Sequence, residues 1–351
     1  MEKLNLPKDN THIFRMTDDT GIFQHAKYSV PDPTHGYTTD DNARALIMAA
    51  LLYEIEEDPR YLDLAYRYLQ FLLHAWDGDW FRNFMNYQRS FLEERGSDDC
   101  FGRSIWSLGI VSSAAHLPSG LRKTAVHLLE EALAKCRKLR YIRGKAYTLL
   151  GLCKWESPQA EKYIELLATP LAEALAKNAR GGWFWFEDEL TYCNAVLPLA
   201  LLEAGCVLNN EDWLSAGKKS LDFLLKNTFR SGVFWPVGCK GWFKKGGVPA
   251  RFDQQPVEAC ETLIACLQAY ELTGNLSYRA AAEDCLAWYA GKNSAGISLI
   301  DPETGGCRDG ITTDGLNENQ GAESLISWHI ARSTWEKAKS KLRKEAKKVS
   351  V

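Results

Sequence analysis

Two kinds of helical segment alternate along almost the whole chain of 351 residues. One kind is rich in small and apolar residues over its entire length, as in DNARALIMAALLY at 41–53. The other kind is charged and amphipathic, with apolar residues at helical spacing, as at 59–75. A helix buried on nearly all sides is apolar all round, whereas a helix that faces water is amphipathic. The alternation therefore predicts a set of inner helices enclosed by an outer set.

The alternation repeats six times. The predicted inner helices are 41–53, 101–115, 144–155, 190–204, 256–270 and 321–332. The predicted outer helices are 59–75, 119–137, 157–178, 211–227, 276–291 and 333–349. Six parallel inner helices can close into a ring inside six outer ones, so we expect an all-α, (α/α)₆ toroid of six helical hairpins. An open solenoid is the alternative, but solenoid repeats keep a steadier length and a recurring consensus.

The hairpins predict one domain over 1–351, made of a lead-in segment (1–36), the toroid (37–335) and the basic end of the last outer helix (336–351). The long linkers all lead into inner helices, at 76–98, 179–189, 228–255 and 292–320. The elaborated loops therefore share one end of the ring, which we call the mouth, and functional residues concentrate on such loops.

Carboxylates accumulate where inner helices begin. A single Asp before a helix is usually a cap, but five of the six starts carry acids and a cap needs only one. Asp41 and Asp253 are the first-ranked candidates for catalysis. The other candidates are Asp40, Asp99, Asp188, Glu258 and Glu323. Arg44 and Arg103 lie one turn inside apolar helices, where an unpaired charge is costly, so we expect them to pair with these carboxylates.

Aromatic residues fill the same linkers. Flat rings beside carboxylates and amides suit a sugar, whose C–H faces pack on the rings while its hydroxyls bond to polar groups. Trp185 and Trp235 are the rings expected to face the cleft. The predicted substrate-binding residues are completed by His25, Tyr37, Arg44, Arg103, Tyr192, Asn194, Gln254, Gln255 and Gln320.

Glycoside cleavage needs two carboxyl groups, one protonated and one ionised. Neighbouring acids raise each other's pKa, so tandems such as Asp40-Asp41 and Asp98-Asp99 can supply the protonated member. The sequence therefore predicts a glycoside hydrolase acting on an oligosaccharide, with phosphorolysis as a lesser variant.

Several motifs resemble known proteins. The ring with an acidic mouth resembles the six-hairpin glycosidase superfamily. GYTTDDNARAL, DDCFGRSIWSLG, DQQPVEA and NQGAESLISW are similar to a helical domain of bacterial proteins described as glycosyltransferases. The Asp40-Asp41 tandem is similar to adjacent aspartates of α-mannan-cleaving six-hairpin enzymes, which implies a mannose-containing substrate. The resemblance also suggests association with a glycosyltransferase or a sugar phosphorylase.

Two other functions stay open. A sugar isomerase or epimerase on the same toroid would use histidines, for which His25, His35 and His329 are available. A non-catalytic carbohydrate-binding module would show the same aromatic residues but would tolerate neutralised carboxylates.

Composition narrows the range of partners. A net charge of −3 gives no basic surface for nucleic acid, and no apolar stretch is long enough for a membrane span. The ten cysteines include no C-x-x-C pair, so no metal or other cofactor is expected. The start lacks an apolar signal region, so we expect a cytoplasmic location with reduced thiols. The oligomeric state stays open.

Overall fold

The computed structural model describes residues 9–349, which form twelve α-helices and nine short strands. The helices are α1 Thr11–Arg15, α2 Thr39–Glu56, α3 Pro59–Ala75, α4 Asp98–Ser113, α5 Ser119–Leu133, α6 Ile142–Leu152, α7 Pro158–Asn178, α8 Val196–Val207, α9 Glu211–Thr228, α10 Pro256–Thr273, α11 Leu276–Tyr289 and α12 Ala322–Val349. A 3₁₀ helix, Ala134–Lys138, follows α5. Among residues 9–349, no helix combines the length and the hydropathy that a bilayer crossing requires.

The even-numbered helices from α2 to α12 form a closed ring. Each packs against the next, and α12 packs back against α2. The odd-numbered helices from α3 to α11 lie outside, each against the inner helix that precedes it. The inner helices are buried around most of their circumference, whereas α3 buries one stripe that includes Tyr61, Leu64, Tyr68 and Leu72. The fold is thus an (α/α)₆ toroid, and the closed ring excludes the solenoid.

The predicted sixth outer helix, 333–349, is wrong as a separate element. Residues Ala322–Val349 form one continuous helix, because no Gly or Pro interrupts the chain between them. The start of the short α1 lies beside α12, and its Phe14 lies beside α3. Asn10 accepts a hydrogen bond from Arg332 of α12 at 2.9 Å, and Phe14 stacks on Tyr61 of α3 at 5.8 Å between ring centroids.

The fourth inner helix also differs from its prediction, because it begins at Val196 and not at residue 190. The segment before it is a turn in which Cys193 has a φ of 49°, a left-handed conformation that ends any helix. Glu258 of α10 accepts hydrogen bonds from the backbone N–H groups of Cys193 and Asn194. A tertiary contact therefore fixes this turn, and the local sequence does not reveal it.

The nine short strands of the described residues lie at the mouth end of the ring. β1 Phe23–Lys27, β2 Val30–Thr38 and β3 Phe84–Met85 form one antiparallel sheet in the order β1-β2-β3. The remaining strands form three antiparallel pairs, which are β4 Glu189–Leu190 with β7 Phe243–Lys244, β5 Phe229–Arg230 with β6 Val233–Phe234, and β8 Gly310–Thr312 with β9 Gly315–Asn317. All of them lie in segments that lead into inner helices, so the ordered loop structure collects at that end of the ring.

Candidate active site

A cavity of about 410 Å³ opens at the mouth, between the starts of α2, α4, α10 and α12. We call it the mouth cavity. Its lining residues are Gln24, His25, Thr38, Asp40, Asp41, Arg44, Asn83, Phe84, Arg103, Gln255, Asp309, Asn317, Gly321, Glu323 and Ser324. Its volume lies within the range of small-molecule sites, and its walls carry both signs of charge.

Arg44 joins two carboxylates of this cavity. It donates to Asp41 Oδ1 and to Glu323 Oε2, both at 2.7 Å, while its own side chain is only 6% exposed. The Thr38 hydroxyl caps α2 by accepting from the Asp41 N–H and donates to Asp41 Oδ2 at 2.7 Å. Asp41 is therefore saturated by structural partners, whereas the Glu323 side chain remains 39% exposed in the cavity.

The pKa values of the two carboxylates are shifted in opposite directions. Burial raises the pKa of Asp41 above its ordinary value, and Arg44 only partly offsets this effect. Burial also acts to raise the pKa of Glu323, but Arg44 and Arg103 overcome it and hold that pKa below the ordinary value. Glu323 is therefore the carboxylate that stays ionised and open to a ligand.

A second ion pair lines the neighbouring wall. Arg103 of α4 donates to Asp40 Oδ1 at 3.0 Å, and the Asn83 amide donates to Asp40 Oδ2 at 2.9 Å. Asp40 is half-buried, and both oxygens are engaged. Arg44 and Arg103 thus pair with mouth carboxylates, as the cost of burying them predicts.

Asp309 is the carboxylate that the sequence analysis missed. It precedes β8, and its Oδ1 accepts the backbone N–H of Gly321 at 2.8 Å. Burial raises the pKa of Asp309 to about 6, and Glu323 and Asp41 act in the same direction. A carboxyl group that titrates near 6 can donate a proton at mildly acidic pH.

His25 lies on β1 and reaches the cavity edge. Its ring packs edge-on against the ring of His35 of β2 at 4.7 Å between centroids. Burial and the neighbouring His35 lower the pKa of His25, although Asp41 and Glu323 act against this. Its imidazole is therefore mostly neutral at pH 7 and can accept a proton. His329, by contrast, is fully buried in α12.

A second cluster of polar residues lies at the mouth beside the cavity, on α4, α6 and the linker before α8. The Tyr192 hydroxyl donates to Asp99 Oδ2 at 2.8 Å. Arg143 donates to Glu187 and to the Tyr192 carbonyl, each at 2.7 Å, and its guanidinium lies 4.7 Å from the centre of the Tyr192 ring. The start of the third inner helix, α6, has no carboxylate of its own. Glu187, from the linker before α8, therefore supplies the carboxylate that pairs with Arg143 of α6.

Below the mouth, two glutamates of α10 face the ring interior. Glu258 holds the turn at Cys193, and burial together with Glu261 raises its pKa to about 8. Glu261 accepts a hydrogen bond from Tyr147 of α6. Neither glutamate lines the mouth cavity, so their geometry is that of groups that brace the ring.

The remaining predicted residues lie outside the cavity lining. Trp185 is fully buried against Phe186, and Tyr37 is buried with its hydroxyl on Asp18. The guanidinium groups of Arg230 and Arg251, in the same linker, lie 5.1 and 5.9 Å from the centre of the Trp235 ring. Asp253 faces Lys240 at 3.4 Å. Asp188 is exposed. The side chains of Asn194, Gln254 and Gln320 form hydrogen bonds within their own loops or to neighbouring elements. Loop packing accounts for these positions.

The cavity therefore unites seven of the predicted residues, which are His25, Asp40, Asp41, Arg44, Arg103, Gln255 and Glu323. It adds residues that the sequence analysis did not single out, chiefly Asn83, Asp309 and Asn317. Among the described residues, no group of three or more His, Cys, Asp or Glu side chains could hold a metal ion.

The sequence matches no family model and no curated protein. Its fold is similar to that of cellobiose 2-epimerase from Bacillus thermoamylovorans, with a TM-score of 0.73, 13% identity, and coverage of 95% of this chain and 96% of that one. A D-mannose isomerase gives a TM-score of 0.72 at 14% identity, with 94% of each chain covered. A GH76 α-mannanase from Bacteroides thetaiotaomicron gives 0.62 at 12% identity, with 88% of each chain covered. At these identities the comparisons establish the toroid fold.

Proposed function

We propose that this chain is a glycoside hydrolase in which Asp309 is the general acid and Glu323 is the ionised partner. The observation that carries the proposal is the pairing, in one cavity, of a carboxyl group with a raised pKa and a carboxylate with a lowered one. Below about pH 6 this pair has one carboxyl group protonated and the other ionised, which is what glycosidic cleavage requires.

In this mechanism Asp309 donates its proton to the glycosidic oxygen as the bond from C1 breaks. Glu323 either attacks C1 or removes a proton from the attacking water, and the anomeric form of the product distinguishes these routes. Arg44 keeps Glu323 ionised. His25, Gln255 and Asn317, which line the same cavity, provide hydrogen-bonding groups for the sugar hydroxyls.

The substrate class that we propose is an oligosaccharide containing mannose or glucose. The fold similarity to a mannanase, a mannose isomerase and a cellobiose epimerase supports this class. Association with a glycosyltransferase or a sugar phosphorylase stays a prediction. Added inorganic phosphate would give a sugar phosphate if phosphorolysis replaces hydrolysis.

The test combines a panel of manno- and gluco-oligosaccharides with the variants Asp309→Asn and Glu323→Gln. Each variant should lower kcat by about 100- to 10,000-fold on unactivated substrates. Asp309→Asn should retain turnover of a dinitrophenyl glycoside, whose leaving group needs no proton, whereas Glu323→Gln should not. Asp188→Asn, at an exposed position outside the cavity, is the matched control. Equal turnover by all three variants would refute the assignment.

A second function is favoured by His25, whose lowered pKa leaves a neutral base at the cavity edge. In an epimerase or isomerase, His25 would remove the proton from C2 of a reducing sugar. Incubation in D₂O separates the two functions, because epimerisation places deuterium on carbon and hydrolysis does not. Loss of this exchange in His25→Gln, with cleavage absent in the wild type, would establish the second function in place of the first.

A further inference from the structure

Tyr192 is an exposed aromatic residue that is fixed at both ends. Its residue surface is 39% exposed, yet its hydroxyl is bonded to Asp99 and its carbonyl to Arg143. Exposed tyrosines normally have rotational freedom, and ordering one on binding costs free energy. A ring already held in one orientation avoids that cost, so Tyr192 is preorganised for a flat ligand.

The groups that hold Tyr192 are themselves buried. The Arg143 side chain is 6% exposed, and its guanidinium covers the Tyr192 ring at 4.7 Å. Its Nη2 has no hydrogen-bond partner in the described part of the chain. A buried arginine is costly unless its hydrogen bonds are satisfied. Using one to hold a surface tyrosine is therefore more than loop packing requires.

Trp242 extends the aromatic surface. Its half-buried ring lies 6.5 Å from the Tyr192 ring at an interplanar angle of 52°. We call Tyr192 and Trp242 the aromatic platform. The Glu187 carboxylate, 37% exposed, lies beside it as an acceptor for hydroxyl groups.

The platform adjoins the mouth cavity. Asp99, which anchors the Tyr192 hydroxyl, lies one helical turn before Arg103, which lines the cavity. Cys193, the residue after Tyr192, places its Sγ at 3.4 Å from Arg103 Nη2. Arg103 therefore connects the wall of the mouth cavity to the residues that hold the platform.

We propose that the aromatic platform is a second sugar-binding subsite, so that the protein prefers oligosaccharides longer than a disaccharide. This inference rests on the hydrolase proposal for the site that it extends. The apolar face of one sugar unit packs on Tyr192 and Trp242, and its hydroxyls bond to Glu187. The reacting bond lies in the mouth cavity.

The experiment measures kcat/KM for α-mannobiose and α-mannotetraose, and for cellobiose and cellotetraose, with wild type, Tyr192→Ala and Trp242→Ala. In whichever series the wild type cleaves, kcat/KM for the tetrasaccharide should exceed kcat/KM for the disaccharide by about tenfold. That ratio is the equivalent of one good stacking contact. Each variant should reduce that ratio towards one. Phe184→Ala, which removes a 42% exposed ring from the linker before the same inner helix, should leave the ratio unchanged.

Calorimetric binding of the same sugars is measured in parallel, so that the two proposals can fail separately. Tetrasaccharides that bind more tightly than disaccharides without being cleaved would overturn the hydrolase proposal and support the subsite. A wild type that treats both lengths alike in turnover and binding would overturn the subsite. Platform variants that lose the same fraction of kcat/KM on disaccharides and tetrasaccharides would also overturn the subsite.

Discussion

Replacing Arg44 by Met tests how the mouth holds its charges. Arg44 is the cation bonded to both Asp41 and Glu323, each at 2.7 Å. Its removal leaves Asp41, whose side chain is 5% exposed, as a buried carboxylate without its guanidinium. Breaking a buried ion pair from one side costs about 3–5 kcal/mol. Glu323 contributes less, because its 39% exposure lets water solvate it.

The cost should depend on pH. The pKa of Asp41 is already above its ordinary value of 3.8 and rises further without Arg44. A protonated Asp41 carries no buried charge, so the variant loses stability as pH rises from 3.8 through that raised pKa. Relative to wild type, the free energy of unfolding of Arg44→Met should therefore be lowered by about 3–5 kcal/mol at pH 8 and by clearly less at pH 5.

Urea unfolding followed by tryptophan fluorescence at both pH values measures this difference. Arg60→Met is the control, because Arg60 forms an equally short pair with Asp58 at 2.6 Å but is 66% exposed. Its loss of stability should be far smaller than that of Arg44→Met, because water screens an exposed pair. The double variant Arg44→Met/Asp41→Asn should recover most of the loss. A loss at Arg44 no larger than that at Arg60, or one equal at pH 5 and pH 8, would refute the reasoning.

Three further predictions concern single positions. In the hydrolase, kcat/KM should fall as pH rises through about 6, because Asp309 must be protonated, and Asp309→Asn should lose this limb of the pH profile. The wild-type free energy of unfolding should fall as pH rises from 4.5 to about 8, in part because buried Glu258 is protonated in the folded state and ionises on unfolding. Urea unfolding of Glu258→Gln should show a shallower fall over the same pH range. An identical pH dependence in the variant and the wild type would contradict the raised pKa. Gly151→Ala should lower the free energy of unfolding by about 1–3 kcal/mol, because a Cβ there would lie 2.2 Å from the Ile105 carbonyl oxygen of α4. The control is Gly120→Ala, where a Cβ would have no atom within 4 Å. Thermal melts should show that this variant is as stable as the wild type or more stable.

The parts of this protein that follow from local sequence could be predicted. Inner and outer helices differ in their apolar periodicity, and six such pairs of variable length predict the ring. The pairing of Asp41 with Arg44 is similarly local, since residues three apart on a helix are neighbours. The helix at Ala322–Val349 shows the limit, because Ser333 is an acceptable cap but nothing forces the chain to turn there.

The parts that depend on loop paths could not be predicted. Asp309 precedes a glycine, as in an ordinary turn, and becomes a site residue only because the backbone of Gly321 returns beside it. Trp185 and Tyr192 are both aromatic residues before the fourth inner helix, yet one is fully buried and the other is 39% exposed. The difference arises from tertiary contacts such as the bond between Glu258 and the Cys193 N–H. Residue type alone does not contain that information.

The arrangement of cations explains which mouth carboxylate can act as the acid. Six parallel helices direct their positive ends to one place, which favours carboxylates there, but the acids repel one another. Arg44 and Arg103 outweigh burial and that repulsion at Glu323, whereas at Asp41 burial outweighs the contact with Arg44. Asp309 accepts hydrogen bonds from two neutral donors, the Gly321 N–H and the Ser324 hydroxyl, and the charges of Glu323 and Asp41 act to raise its pKa. Its pKa therefore rises where that of Glu323 falls, and a cation placed beside it should lower its pKa and move the alkaline limb of the pH profile below about 6. Asn317→Lys places one there, because Asn317 is exposed, lines the cavity and accepts the Asp309 N–H through its carbonyl oxygen.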